Sequence, residues 1–279
     1  MLNPGYALVA ALIWALSPIY YRGFLAKFDF LSFNLLRTST AAAVLAFPAL
    51  YLWDAAGLNY AFASGIITLA CGDSLFLLSI RETGASVAAP VVYTYVLMIQ
   101  LVGVTLGQVV PYTNFAAAVM VVAGVYILSK GGEGKPRAKG IVFAVTAGVI
   151  WTVGQEFIQA STDAGGSVGS IVFMRNFAAA LALGGACLAT RRFRSWPRGV
   201  GMKGYAVILG IIVSDLVVGS LLFVYSISVI GVALSVILTS LSPLLTQVFA
   251  RALGKETPST RDFMGGVLIV AALVLAVAF

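Results

Sequence analysis

Ten predominantly apolar stretches, each close to the length that crosses a bilayer, follow one another through the chain with little between them. A helix rises about 1.5 Å per residue, so about 20 apolar residues cover the hydrocarbon core. The stretches fall at about 4–21, 30–52, 59–80, 85–107, 113–129, 140–160, 168–190, 204–228, 231–253 and 262–279. Joins as short as 80–85 and 228–231 demand antiparallel helices packed side by side. The residues are 61% hydrophobic and only 10% charged, whereas a soluble domain needs about a quarter charged to stay in solution. The reading is an all-α membrane protein of about ten transmembrane helices. The first run begins near Pro4 with no basic residues before it and no cleavage site after it, so it reads as a span rather than a cleaved signal.

Charge checks the segmentation independently. Of the 17 Lys and Arg residues, all but Arg37 and Arg175 fall in the loops after spans 1, 3, 5, 7 and 9, which share one side. These are Arg22 and Lys27; Arg81; Lys130, Lys135, Arg137 and Lys139; Arg191, Arg192, Arg194, Arg198 and Lys203; and Arg251, Lys255 and Arg261. The even loops and both ends carry none, and a wrong count would have mixed the sides. Cytoplasmic loops collect Lys and Arg, so both termini of a multi-pass protein of the cell membrane are expected on the extracytoplasmic side. The net charge of +7 is thereby accounted for, and no nucleic-acid partner is expected. The run from Arg191 to Lys203 could also attract anionic lipid headgroups, although orientation alone explains it.

Histidine is absent, and Cys71 and Cys187 lie far apart within apolar runs. This excludes the common His/Cys metal sites and a cysteine–histidine dyad, and predicts no cofactor and no structural disulfide.

The chain also repeats itself. Gly72-Asp73-Ser74-Leu75-Phe76-Leu77-Leu78-Ser79-Ile80, followed by Gly84, aligns with Gly219-Ser220-Leu221-Leu222-Phe223-Val224-Tyr225-Ser226-Ile227, followed by Gly231, at an offset of 147. The same offset relates Gln100 to Gln247, Leu106-Gly107 to Leu253-Gly254, and Pro111 to Pro258. At offsets of 137 and 138, Trp14 matches Trp151 and Arg37 matches Arg175. Two five-helix repeats follow, 1–130 and 138–279. Five is odd, so the second repeat enters the membrane from the opposite face. This is the inverted-repeat plan of many transporters that alternate access around a midplane site.

On these residues the chain resembles the EamA family of the drug/metabolite transporter (DMT) superfamily over essentially its whole length. The carriers in the first half are Ala11-Leu12-Ile13-Trp14-Ala15, Arg37, Gly72-Asp73, Ser79-Ile80-Arg81 and Gly84-Ala85-Ser86. In the second half they are Trp151, Leu241-Ser242-Pro243 and Leu253-Gly254 with Glu256. The resemblance implies a ten-helix exporter or exchanger of small metabolites such as amino acids, with a central cavity between the halves. Two departures stand out. The family's Gly-Glu after the fourth helix is Gly107-Gln108 here and Gly254-Lys255-Glu256 in the second half. Many members have a cytoplasmic N-terminus, whereas the loop charges here argue the reverse, so direction of transport does not carry over.

Charged side chains deep in a span cost about 2.5–3.5 kcal/mol each on insertion scales and face a cavity or a partner. Five qualify: Arg37, Asp73, Glu156, Arg175 and Asp215. Arg37 and Asp73 lie at equal depth from the same side, so they can pair. Arg175 and Glu156 lie nearer the outer side and could pair across the adjoining loop, while Asp215 is near the middle of span 8. Such pairs could be inert ties between helices. Two arginines against three acids leave one acid over, however, and that acid could bind and release a proton. Asp215 is the first candidate for proton coupling and Glu156 the second.

The mid-span aromatics Trp14, Tyr93, Tyr95, Trp151 and Tyr225 could line a cavity or simply pack. Gln100 and Gln247 could hydrogen-bond a substrate or join helices. Pro18, Pro90 and Pro243 free backbone carbonyls for binding or hinging, or merely kink their spans. Gly103, Gly107, Gly265 and Gly266 favour close helix contacts.

The expected function is a secondary transporter of small polar metabolites, with the lipid bilayer, a small-molecule substrate and protons as partners. A channel or a lipid flippase or scramblase is the alternative, since it too needs polar groups inside a bundle. A membrane-embedded enzyme is less favoured: no paired acids or histidines sit beside a loop able to hold a metal or diphosphate. No Walker-type Gly-rich motif is present to drive a pump. Substrate identity and oligomeric state are not fixed by these patterns.

Overall fold

The computed structural model describes residues 4–51, 54–129, 138–191, 200–253 and 260–278, and contains no strand among them. Lys130, Lys135, Arg137, Arg192, Arg194, Arg198, Gly254, Lys255, Glu256 and Pro258 lie outside the described residues. The first half contains α1 (Gly5–Leu25), α2 (Phe30–Tyr51), α3 (Leu58–Ser64), a π-helical segment π1 (Gly65–Gly72), α4 (Asp73–Thr83), α5 (Ala85–Val92), α6 (Tyr95–Thr105) and α7 (Tyr112–Ser129). The second contains α8 (Ala138–Asp163), α9 (Val168–Ala189), α10 (Met202–Ile212), a second π segment π2 (Val213–Gly219), α11 (Ser220–Thr239), α12 (Ser242–Ala252) and α13 (Thr260–Ala278).

Among the described residues, seven helical stretches are long and apolar enough to cross a membrane, and 112–127 and 267–278 are shorter apolar helices. Large apolar side chains such as Leu101, Leu181, Leu188 and Val274 point outward, which suits hydrocarbon and not water. The chain is a multi-pass membrane protein.

The duplication extends to backbone irregularities. Gly84, between α4 and α5, has φ 84 and ψ 164. Gly231, 147 residues later, breaks α11 with φ 77 and ψ 162. Only glycine occupies this region without serious strain. The π segments are placed alike, ending at Gly72 and Gly219, again 147 residues apart.

Packing follows the same symmetry. α2 lies against its counterpart α9, and α7 against α13. The end of α2 meets the start of α9, so the two run antiparallel. There the Asp54 N–H donates to Ser170 Oγ at 3.2 Å, and the Ser167 N–H donates to the Asp54 carboxylate at 3.2 Å. A Cβ at Gly124 on α7 would lie 2.8 Å from the carbonyl oxygen of Gly265 on α13, so a small residue is required at that crossing. Each opening helix packs into the other half: α1 against π2, α11 and α12, and α8 against π1, α4, α5 and α6. The result is an inverted repeat whose halves interlock.

Near the basic end, a Cβ at Gly84 would lie 3.2 Å from the guanidinium carbon of Arg22, and the Arg81 guanidinium sits 5.7 Å over the Phe30 ring. At the other end, Ser161 Oγ donates to the Gly57 carbonyl at 2.8 Å and the Val232 N–H donates to Gln159 Oε1 at 2.8 Å.

Candidate functional site

The interlocking of α1 and α8 leaves a cavity between the halves with about 770 Å³ of space, including its open mouth. α1 supplies Trp14, Ser17 and Tyr21 to its wall, and α8 supplies Trp151 and Gln155. Arg37 comes from α2 and Arg175 from α9; Thr68 and Asp215 come from π1 and π2. Asp73 and Phe76 on α4 oppose Ser220 and Phe223 on α11, and Tyr93, Tyr95, Ser242 and Thr246 complete the polar lining. A π segment inserts an extra residue into a helical turn and re-aims the side chains around it, and such segments cluster at functional sites.

Arg37 is the hub. Its Nη2 donates to Asp73 Oδ2 at 3.2 Å and to Asp215 Oδ2 at 3.1 Å. Its Nη1 donates to Asn34 Oδ1 at 2.9 Å. The amide nitrogen of Asn34 is itself committed to the Leu69 carbonyl at 2.7 Å and Ser74 Oγ at 3.0 Å, which fixes the acceptor's direction. The Arg37 guanidinium lies 4.7 Å from the centre of the Tyr21 ring, and the Tyr21 hydroxyl donates to Asp215 Oδ2 at 2.5 Å. Buried charges survive when paired and hydrogen-bonded in this way.

The two indoles occupy matching places. Trp151 Nε1 donates to Asp73 Oδ1 at 3.1 Å, and Trp14 Nε1 donates to the backbone carbonyl of Asp215 at 3.2 Å. A Cβ at Gly72 would collide with the Trp151 indole, and a Cβ at Gly219 with that of Trp14. Each tryptophan therefore depends on a glycine of the opposite half.

Arg175 stands differently. Its Nε donates to Ser64 Oγ at 3.1 Å, and that hydroxyl donates onward to the Gly154 carbonyl at 2.8 Å. It forms none of the ion pairs among the described residues.

Of the charged, aromatic and glutamine side chains singled out from sequence, Trp14, Arg37, Asp73, Tyr93, Tyr95, Trp151, Arg175 and Asp215 meet at this cavity, and Pro18 lines it too. The remaining four, Gln100, Gln247, Tyr225 and Glu156, do not. The Gln100 amide donates to the Ala233 carbonyl at 3.1 Å, tying α6 to α11. Gln247 is buried in α12 away from the wall. Tyr225 is 41% exposed on the outer surface, edge-on to Tyr6. Glu156 accepts from Gln108 Nε2 at 2.7 Å. The expected Glu156–Arg175 pair is thus corrected, because a neutral amide takes the carboxylate while the guanidinium turns to Ser64 and the cavity. The expectation of Asp215 as the acid left without a partner is corrected too, since Arg37 bridges both aspartates. Tyr21, Asn34, Thr68, Gln155 and Thr246 escaped notice because hydroxyls and amides are cheap enough in a span to carry no signal of their own.

Comparison with known proteins agrees with this architecture. Residues 4–130 and 138–278 each match the EamA-like transporter family. A solved structure titled "Crystal structure of protein" is similar at a TM-score of 0.78 and 19% identity, covering 98% of this chain and 96% of that one, which establishes likeness of fold. No curated protein gives a significant match. With both halves matched and the cavity lying where the duplicated helices interlock, the chain belongs to the EamA-like transporter family.

Proposed function

We propose that the protein is a secondary transporter in the cell membrane that moves small polar metabolites, amino acids among them, by alternating access. In this reading the chain crosses the bilayer ten times, with π1 and π2 lying inside longer spans and both termini on the extracytoplasmic side. One observation carries the proposal: Arg37, Arg175, Asp73 and Asp215 line one cavity at the junction of two inverted halves. Charges so expensive to insert are kept where a polar solute can use them. Two related halves give two related conformations, each open to one side.

Proton coupling belongs to the same proposal. Asp73 and Asp215 share one arginine, so the trio carries a surplus negative charge that a proton or a substrate cation can cancel. Asp215→Asn should abolish dependence on a pH gradient while leaving the protein folded; unchanged coupling in that variant removes the idea.

The direct test starts from a thermal-shift screen of purified protein against amino acids, amines, sugars and nucleotides. Flux of each stabilising solute is then measured in proteoliposomes. Saturable flux accelerated by unlabelled solute on the far side identifies a carrier. Unsaturable flux identifies a channel or scramblase and refutes the proposal, as does the absence of any flux.

A further inference from the structure

Arg37 and Arg175 are counterparts, 138 residues apart, on helices that pack against each other. α2 packs against π2 and α9 packs against π1, so each arginine's helix lies beside the π segment of the opposite half. The chemistry of those two neighbourhoods differs. The position on π1 corresponding to Asp215 is Thr68, 147 residues earlier, and the position on α11 corresponding to Asp73 is Ser220, 147 residues later. All four line the cavity. Arg37 is ion-paired to two carboxylates, whereas Arg175 bonds a single hydroxyl and has Asp73 only beyond ion-pair distance.

The second neighbourhood is polar but incomplete. Arg175 is 3% exposed and Thr68 4%. Thr68 Oγ1 is buried with no hydrogen-bond partner, as is Oε1 of the nearby cavity residue Gln155. Only Nε of Arg175 is tied down, to Ser64, which leaves its Nη groups to the cavity. Asp73 acts on Arg175 only from beyond ion-pair distance. A buried guanidinium without a directly paired anion is costly, and its planar fork matches a carboxylate.

We propose that Arg175 forms a carboxylate subsite, in which the carboxylate of a substrate takes the place toward Arg175 that Asp215 takes toward Arg37. This rests on the transporter reading and narrows its substrate class. The Asp73–Asp215 pair, held by one arginine between them, receives the substrate's ammonium group at the other pole of the cavity. Trp14, Trp151 and Phe223 add apolar surface to the cavity wall. The ligand that fits is a zwitterion of amino-acid type, and an amine or an amide lacking the carboxylate fits one pole only.

The test uses the full chain in detergent or nanodiscs. The 20 common L-amino acids, their C-terminal amides, the amines left by removal of the carboxyl group, and inorganic phosphate are titrated by calorimetry, with wild-type protein, Arg175→Gln, Arg175→Lys and Thr68→Asp. The best amino acid should bind at least about tenfold tighter than its amide or amine, a difference typical of one charge-assisted contact. Arg175→Gln should erase that preference and Arg175→Lys should keep part of it. Thr68→Asp should erase it as well, because it gives Arg175 an internal carboxylate of the kind Arg37 already has. That variant should also melt higher than wild type, and it decides the matter if Arg175→Gln does not fold.

Equal binding of acid and amide, an undiminished preference in Thr68→Asp, or binding of phosphate in place of amino acids overturns the subsite. Failure of the two readings is distinguishable. Saturable flux of a solute with no carboxylate preference leaves the transporter standing and removes the subsite. Arg175-dependent carboxylate binding without any flux does the reverse.

Discussion

The surroundings of Arg37 and Arg175 differ far more than the helices that carry them. Both arginines sit on counterpart helices beside a π segment. Arg37 gives its two Nη groups to Asn34, Asp73 and Asp215 and leaves its Nε unbonded, whereas Arg175 bonds one hydroxyl through its Nε and is in no ion pair among the described residues. Duplication kept the scaffold and let the charges diverge. An arginine locked between acids ties helices together, and one left facing the cavity can bind.

The largest effect that would test this contrast concerns stability. Arg37→Met leaves two carboxylates buried without their cation and should cost about 3–5 kcal/mol. Arg175→Met gives up a single hydrogen bond and should cost only about 1 kcal/mol. Unfolding titrations in mixed micelles measure both, and equal losses would erase the distinction.

A next, smaller effect probes what the halves share. Gly84→Ala and Gly231→Ala force a side chain into a region that glycine alone tolerates, at about 1–3 kcal/mol each. The two losses should match within experimental error, and a loss in only one half would show that the turns are not equivalent.

The indoles then sharpen the difference again. Trp151 donates to a carboxylate and Trp14 to a backbone carbonyl. Hydrogen bonds to charged groups contribute about 1.5–3 kcal/mol against about 0.5–1.5 for neutral ones, so Trp151→Phe should destabilise more than Trp14→Phe. Tyr225→Leu, outside the cavity, should change stability by no more than about 0.5 kcal/mol and leave ligand binding intact.

The rods and the repeat were plain in the sequence because lipid imposes them: each crossing needs its run of apolar residues, and the loops keep the charge. Paired rare residues such as Trp14 with Trp151 and Arg37 with Arg175 then exposed the duplication. Equal depth was enough to place Arg37 beside Asp73. The π segments were invisible, since π1 is as apolar as any helix around it. The Arg37–Asp215 bond joins residues 178 apart in sequence and depends on how the halves interlock, which no local pattern encodes. Glu156 pairs differently because Gln108, in the loop after α6, folds back onto its carboxylate, a contact that matching depths along the helices does not reveal.

The central claim is that the cavity between the halves opens to each side of the membrane in turn. Its most direct test is the reactivity of a single thiol on the cavity wall, Ser220→Cys, with Cys71 and Cys187 replaced by serine. Sealed vesicles of each orientation are exposed to a membrane-impermeant maleimide. The account predicts labelling from both faces; labelling from one face only, under every solute condition, would contradict it.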